Sequence, residues 1–302
     1  MKSYTRVLDL FLSPFVYPSG RLLYAIRRFG VQHLPLCRKT LDAAGVFPVR
    51  DHYYEPLTNP KHLSARFGEP RDLPGIAWDL EGQRLWLQRL SRYAGELKAA
   101  DLPSNTIFGQ GDADYWYAFV RELKPKQIIE IGSGFSTKIA RLAIERNGTP
   151  CEHSCIEPYE VPWLEETGAT VIRKRVEEVD PAMFSRLSAN DILFIDSSHV
   201  VRPEGDVLLE MLQIVPSLKP GVVVHFHDIF SPRNYPYDWV AEKVWLWNEQ
   251  YLLEAFLTHN HEWEILGALN YLYHRLYDEL SALCINLDRG ENGPGSFYIR
   301  RK

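Results

Sequence analysis

From Gln127 onward, short apolar runs alternate with helix-like segments, and this alternation constrains the fold more than any other feature. The spacing predicts strands at Gln127–Ile131, His153–Ile156, Thr170–Ile172, Asp191–Ile195, Gly221–Phe226 and Trp263–Leu266, and a final edge strand at Ser296–Ile299. Helices are predicted at Ser136–Arg146, Trp163–Thr167, Asp206–Ile214, Trp239–Leu257 and Asn270–Leu283. Gly221–Phe226 is so apolar that both of its faces must be covered. Alternation of this kind implies right-handed crossovers, and hence an α/β, doubly wound, mostly parallel sheet of seven strands.

The first hundred residues have a different texture, rich in Pro, Tyr and Arg, with a turn-dense stretch from Asp51 to Gly75. Leu80, Leu87, Leu90, Ala94 and Leu97 then recur at helical spacing, and Pro103 is expected to end that helix. We therefore expect a helical N-terminal extension over 1–104 and the sheet domain over 105–302. Charge is divided along the chain. Residues 1–50 carry eight Lys/Arg against Asp9 and Asp42, or +6, which leaves −11 of the overall −5 on the other 252 residues. An acidic main body argues against a nucleic-acid binder.

The longest stretch without Asp, Glu, Lys or Arg, Leu10 to Gly20, has 11 residues and contains Pro14 and Pro18. That is too short for a membrane span, which needs roughly 20 apolar residues. The segment reads first as a basic helical extension packed on its own domain. The alternative is a peripheral helix on an anionic membrane, with Phe11, Phe15 and Leu23 inserted and Arg21, Arg27 and Arg28 at the headgroups. Four cysteines (Cys37, Cys151, Cys155, Cys284) are too few for a disulfide framework, so a reducing, cytoplasmic setting is expected, at most peripheral to a membrane's inner face.

In such a sheet, ligands bind beyond the carboxyl ends of the strands, where the winding reverses. After the first strand comes Gly132-Ser133-Gly134-Phe135-Ser136-Thr137, opening directly into a helix whose free N–H groups face the turn. No Gly-Lys-Ser/Thr follows, so it is not a P-loop, and Thr137 stands where a dinucleotide fingerprint expects glycine. Glu157, 25 residues past Gly132, ends the second strand, where a carboxylate accepts ribose hydroxyls. Glu130 lies inside an apolar strand and needs a partner. A cationic ribonucleoside such as S-adenosylmethionine would suit it. The fourth strand ends in Asp196-Ser-Ser-His199 and the fifth in His225-Phe-His227-Asp228, all on the edge that carries the glycine loop. Aspartate and histidine there are candidate divalent-metal ligands, and His225, the deeper of its pair, reads as a hydrogen-bonded core histidine. Tyr53, Tyr54, Trp116 and Tyr235 are candidates for an acceptor wall, with core packing the plainer role for each.

Glu130-Ile-Gly-Ser-Gly-Phe-Ser-Thr137, Cys155-Ile-Glu-Pro158, Phe194-Ile-Asp-Ser-Ser-His199 and Leu218-Lys-Pro-Gly221 through His227-Asp228 resemble class I S-adenosylmethionine-dependent methyltransferases. More narrowly, they resemble methyltransferase family 24, which is similar to the metal-dependent O-methyltransferases of macrolide sugars. The resemblance spans roughly 105–236. It implies a Rossmann-like sheet whose last strand is antiparallel, and O-methylation of a small molecule or sugar. Glu130, Gly132, Ser133 and Gly134, with Ser136 and Thr137 at the helix start, would hold the methionine part of the cofactor, and Glu157 its ribose. Asp196 and Asp228 would be metal ligands and His199 the general base. Those relatives place a carboxylate where this chain has His227, which shifts the expected ion from Mg²⁺ toward Mn²⁺, Fe²⁺ or Zn²⁺, or toward none. An NAD-dependent oxidoreductase, a metal-dependent oxygenase and a non-catalytic binding protein on the same sheet remain as alternatives. The sequence leaves the oligomeric state open.

Overall fold

The apolar runs pair as a seven-stranded sheet in a computed structural model that describes residues 2–100, 102, 108–109, 111–159, 161–290 and 292–302. The chain divides into two units, Met1–Ala65 and Arg66–Lys302. The expected Pro103 helix stop and the 104/105 boundary lie outside the described residues.

In the first unit, helix α1 (Lys2–Phe29) runs through Pro14 and Pro18, and α2 (Pro35–Ala44) starts on a proline and stops at Gly45 in the left-handed region. Arg27 and Arg50 both donate to Glu55, which ties the end of α1 to the loop after α2. No described helix is long and apolar enough to cross a membrane.

In the second unit, Asp79 caps α3 (Leu80–Leu90) by accepting from the Gly82 N–H at 3.0 Å. A 3₁₀ turn at Ser91–Tyr93 leads into α4 (Ala94–Ala100), and Leu87, Leu90 and Leu97 of the predicted stripe are buried. Helix α5 (Asp112–Leu123) precedes the sheet: β1 (Gln127–Ile131), α6 (Phe135–Asn147), β2 (Glu152–Ile156), β3 (Thr170–Ile172) and β4 (Ile192–Ile195). Next come α7 (Asp206–Leu209), a π-helical turn at Glu210–Ile214, α8 (Val215–Ser217) and β5 (Val223–Phe226). The chain ends with α9 (Tyr237–Ala241), α10 (Glu249–Leu257), β6 (Trp263–Ala268), α11 (Leu269–Arg275), α12 (Tyr277–Leu283) and β7 (Phe297–Arg301). Strand order is β3-β2-β1-β4-β5-β7-β6, with β7 antiparallel to both neighbours. Apolar cores cover both faces, as the fully buried β5 requires.

Three expectations are corrected. Ser296–Ile299 was expected at an edge, but β7 lies between β5 and β6; Phe297 and Ile299 enter one core and Tyr298 the other, so the strand is covered on both faces. The single helix over Trp239–Leu257 breaks into α9 and α10 around an irregular segment in which Val244 has φ 55°, a conformation that ends any right-handed helix. The helix at Asn270–Leu283 likewise breaks at Leu276, whose φ of −138° and ψ of 42° lie outside the helical region.

Candidate active site

The winding reverses between β1 and β4, which are paired neighbours, so the turn after β1 and the residues after β4 share one crest. The Gly132 N–H donates to the Ile156 carbonyl and the Asp196 N–H to the Ile131 carbonyl, which lashes the three strand ends together. Gly132 has φ 77°, and a Cβ there would stand 1.9 Å from the Asp196 carbonyl oxygen. Only glycine lets these two backbones touch. At Gly134, by contrast, a Cβ would meet no atom within 4 Å, so the mouth of α6 is open.

Glu157 forms the wall beside this opening. Its carboxylate accepts from the Ser133 N–H at 3.2 Å and the Tyr159 N–H at 2.9 Å. Gly132, Glu157, Tyr159, Asp196 and Ser197 line a cleft of about 170 Å³. Glu130 is fully buried beneath the loop, and the protein itself supplies the partners that burial demands. His153 Nε2 lies 3.0 Å from one carboxylate oxygen, while the Thr137 and Ser136 hydroxyls donate to the other at 2.5 and 3.3 Å. Ser136 and Thr137 thus turn their hydroxyls down to Glu130, away from the opening.

Beyond Asp196 the next crest is that of β5. Asp196, His227 and Asp228 offer three ligand atoms within 4.8 Å of one another. Nδ1 of His227 is buried and makes no hydrogen bond, although Asp196 Oδ1 is at 3.4 Å and Asp228 Oδ2 at 3.6 Å. Its other nitrogen is 3.7 Å from Asp112, whose carboxylate is fixed by the Gly295 and Ser296 N–H groups. Two carboxylates and an imidazole nitrogen without a hydrogen bond around one point fit a divalent cation, with the buried Asp112 orienting the histidine. In a second group, Glu130, His153 and Cys155, both oxygens of the Glu130 carboxylate are already engaged, by His153 Nε2 and the Thr137 hydroxyl.

His199 completes the cluster. Nε2 lies 3.3 Å from Asp196 and 3.7 Å from Asp228, and Nδ1 is 2.8 Å from Glu249 at the start of α10. Asn248 and Glu249 donate their N–H groups to the His199 carbonyl, and Trp247 packs on the imidazole at 4.3 Å. His199 and Asp228 both have φ near +60°, a costly conformation that tertiary packing must hold. Asp206, in the first turn of α7, accepts from the Ser198 N–H and hydroxyl, fixing the loop that carries His199.

Burial alone would lower both imidazole pKa values, but the surrounding acids outweigh it. Asp196 and Glu249 raise His199 well above the histidine range, and Asp228 and Asp196 do the same for His227. For Asp196 the cost of burial is overcome by His227 and His199, so it stays ionised. Burial lifts Asp228 to about 6 against the pull of the same two histidines. These protons are the ones a bound cation would displace.

On the far side, His227, Asp228, Phe230, Trp239, Trp245 and Trp247 line a second cavity of about 350 Å³. Asp196 lines the first cavity and His227 and Asp228 the second, and these three side chains meet in the cluster. Tyr235 is buried beside Trp247 and Trp116 in the core against Phe194, while Tyr53 and Tyr54 belong to the first unit and are exposed. His225 is a core histidine stacked on Tyr298 at 4.1 Å, but neither ring nitrogen has a hydrogen bond, and burial and His227 push its pKa well down. Sequence reading missed Glu249, Asp112 and the tryptophan wall. Each reaches the site from a distant element, and the helix assigned to 239–257 concealed the segment carrying Trp245 and Trp247.

Residues 129–229 match the family model described as a methyltransferase domain, family 24. The matched segment runs from β1 through the crest of β5. An uncharacterized protein of Archaeoglobus fulgidus is 28% identical over 173 residues, covering 50% of this chain and 78% of its own. The chain is also similar to two solved structures with S-adenosylhomocysteine bound. One is the Podospora anserina methyltransferase PaMTH1, at 17% identity and TM-score 0.41, covering 72% of this chain and 88% of that one. The other is an O-methyltransferase from Bacillus cereus, at 12% identity and TM-score 0.42, covering 72% and 91%.

Proposed function

We propose that the chain transfers a methyl group from S-adenosylmethionine to a hydroxyl oxygen of a small molecule or sugar. The observation that carries this reading is the imidazole of His199, 3.3 Å from Asp196, which lines one cavity, and 3.7 Å from Asp228, which lines the other. The donor's place is the cleft beside Gly132, Ser133, Gly134 and Glu157, and the acceptor's is the tryptophan-lined cavity. The donor supplies a methyl already activated on sulfonium. A divalent ion held by Asp196, His227 and Asp228 would supply Lewis acidity to the acceptor oxygen.

The chain's own residues do three things. The crest brings the two cavities together, where alignment of reactants is worth up to roughly 7–11 kcal/mol. His199 takes the hydroxyl proton, a role typically worth about 10²–10⁴-fold. Glu249 fixes the ring so that Nε2 faces Asp196 and Asp228 and stabilises the imidazolium that forms. In the same reading, the Met1–Ala65 unit gives a peripheral membrane contact through its basic helix, on a cytoplasmic face.

Thermal shift with S-adenosylhomocysteine and with NADH tests the donor. Stabilisation by the first alone supports the proposal, and stabilisation by NADH alone returns the oxidoreductase reading. Mass spectrometry of a hydroxylated acceptor panel then reads the gain of one methyl.

A further inference from the structure

We infer that α1 lies in the surface plane of an anionic lipid bilayer, with its apolar side inserted and its arginines at the headgroups. This rests on the peripheral contact proposed above and uses no step of methyl transfer.

At about 100° per residue, Tyr4, Val7, Leu8, Phe11, Phe15 and Leu22 fall on one side of the helix. They are not buried: Phe11 is 69%, Phe15 61% and Leu22 63% exposed. Arg6, Arg21 and Arg28 fall on the other side with Asp9 as the one acid. A long helix that bares aromatic and aliphatic side chains along one side and carries its arginines, with exposed Leu10 and Tyr17 among them, along the other is built for a water–lipid boundary. Arg27 is not available to headgroups because Glu55 holds it with three hydrogen bonds.

Charge selects the lipid. The +6 of residues 1–50 sits in a chain whose other 252 residues total −11, so attraction to an anionic surface is confined to this unit. The helix cannot cross the bilayer, since its uncharged stretch is 11 residues. A second copy of α1 fits less well. Tyr4, Leu8, Phe11, Phe15, Pro18 and Leu22 have coiled-coil spacing, but Pro18 stands on that seam, and exposed Leu12 and Val16 extend the apolar side beyond it.

The test is flotation of the 302-residue chain with phosphatidylcholine vesicles, with and without phosphatidylglycerol. Binding is expected only with phosphatidylglycerol and should weaken as salt rises. Phe11→Asp/Phe15→Asp should lower the bound fraction at least ~10-fold, and Arg21→Glu/Arg28→Glu should lower it on the anionic vesicles. Circular dichroism checks the fold of each variant, and S-adenosylhomocysteine affinity, measured in the same samples, should be unchanged. Absence of wild-type binding to anionic vesicles overturns the inference. So does a dimer that Phe11→Asp/Phe15→Asp converts to monomer without any vesicle binding. Either result leaves the donor-binding reading standing, because that reading is tested by S-adenosylhomocysteine alone.

Discussion

Nδ1 of His199 lies 2.8 Å from the carboxylate of Glu249, a residue 50 positions away on α10. This contact leaves Nε2 directed at Asp196 and Asp228 and sets what the imidazole can do. Glu249→Gln keeps the shape and removes the charge. Turnover should fall about 10–100-fold, within the range a positioned base contributes, with S-adenosylhomocysteine affinity unchanged. Glu249 raises the His199 pKa, so its loss should move the rising limb of the activity–pH profile to lower pH. An unmoved limb would remove His199 from the proton transfer.

Metal dependence follows from the donor set. Chelation should abolish turnover and added Mn²⁺ restore it, while Asp228→Asn should lower metal affinity by at least ~100-fold and Asp112→Asn by about 10–100-fold. His227→Asp should shift the preference toward Mg²⁺, because that ion prefers oxygen. Calorimetric titration with each ion checks the order; equal affinities for wild type and Asp228→Asn would exclude this site.

Two loop glycines should separate folding from binding. Gly132→Ala drives a methyl group into the Asp196 carbonyl at positive φ, so the melting temperature should drop sharply, with strain of about 1–3 kcal/mol before the clash is counted. Gly134→Ala meets nothing and should melt with the wild type, yet bind S-adenosylhomocysteine more weakly because its methyl group stands in the open mouth of α6. Equal binding by Gly134→Ala would place the donor elsewhere.

The first unit has its own acid sensitivity. The Arg27 and Arg50 guanidiniums hold Glu55 down to about 2, from an ordinary 4.5. Because the folded value is the lower one, this stabilisation is complete above about 4.5 and is lost as pH falls toward 2. Wild type should therefore outlast Glu55→Gln in thermal melts at pH 6, and the difference should close near pH 2. A constant gap would mean that Glu55 acts by packing alone.

Much of this was legible because parallel strands write themselves locally. Gln127–Ile131 and Thr170–Ile172 fall where the apolar runs predicted, and Asp196, His199, His227 and Asp228 come together because strand ends on one edge must. The irregular segment around Val244 was not legible, since no proline or glycine interrupts Trp239–Leu257 to mark the place where Val244 turns left-handed. The partner of Glu130 was hidden for a related reason. Its burial correctly demanded a partner, but His153 lies on the neighbouring strand, and only the β1–β2 pairing brings it near.

Calorimetric titration of S-adenosylhomocysteine into wild type, Glu157→Ala and His199→Ala tests the arrangement most directly. Wild type should bind, Glu157→Ala should bind at least ~10-fold more weakly after losing its charged hydrogen bonds, and His199→Ala should match wild type. No binding by wild type, or equal binding by Glu157→Ala, would contradict a donor site beside β1 and β2.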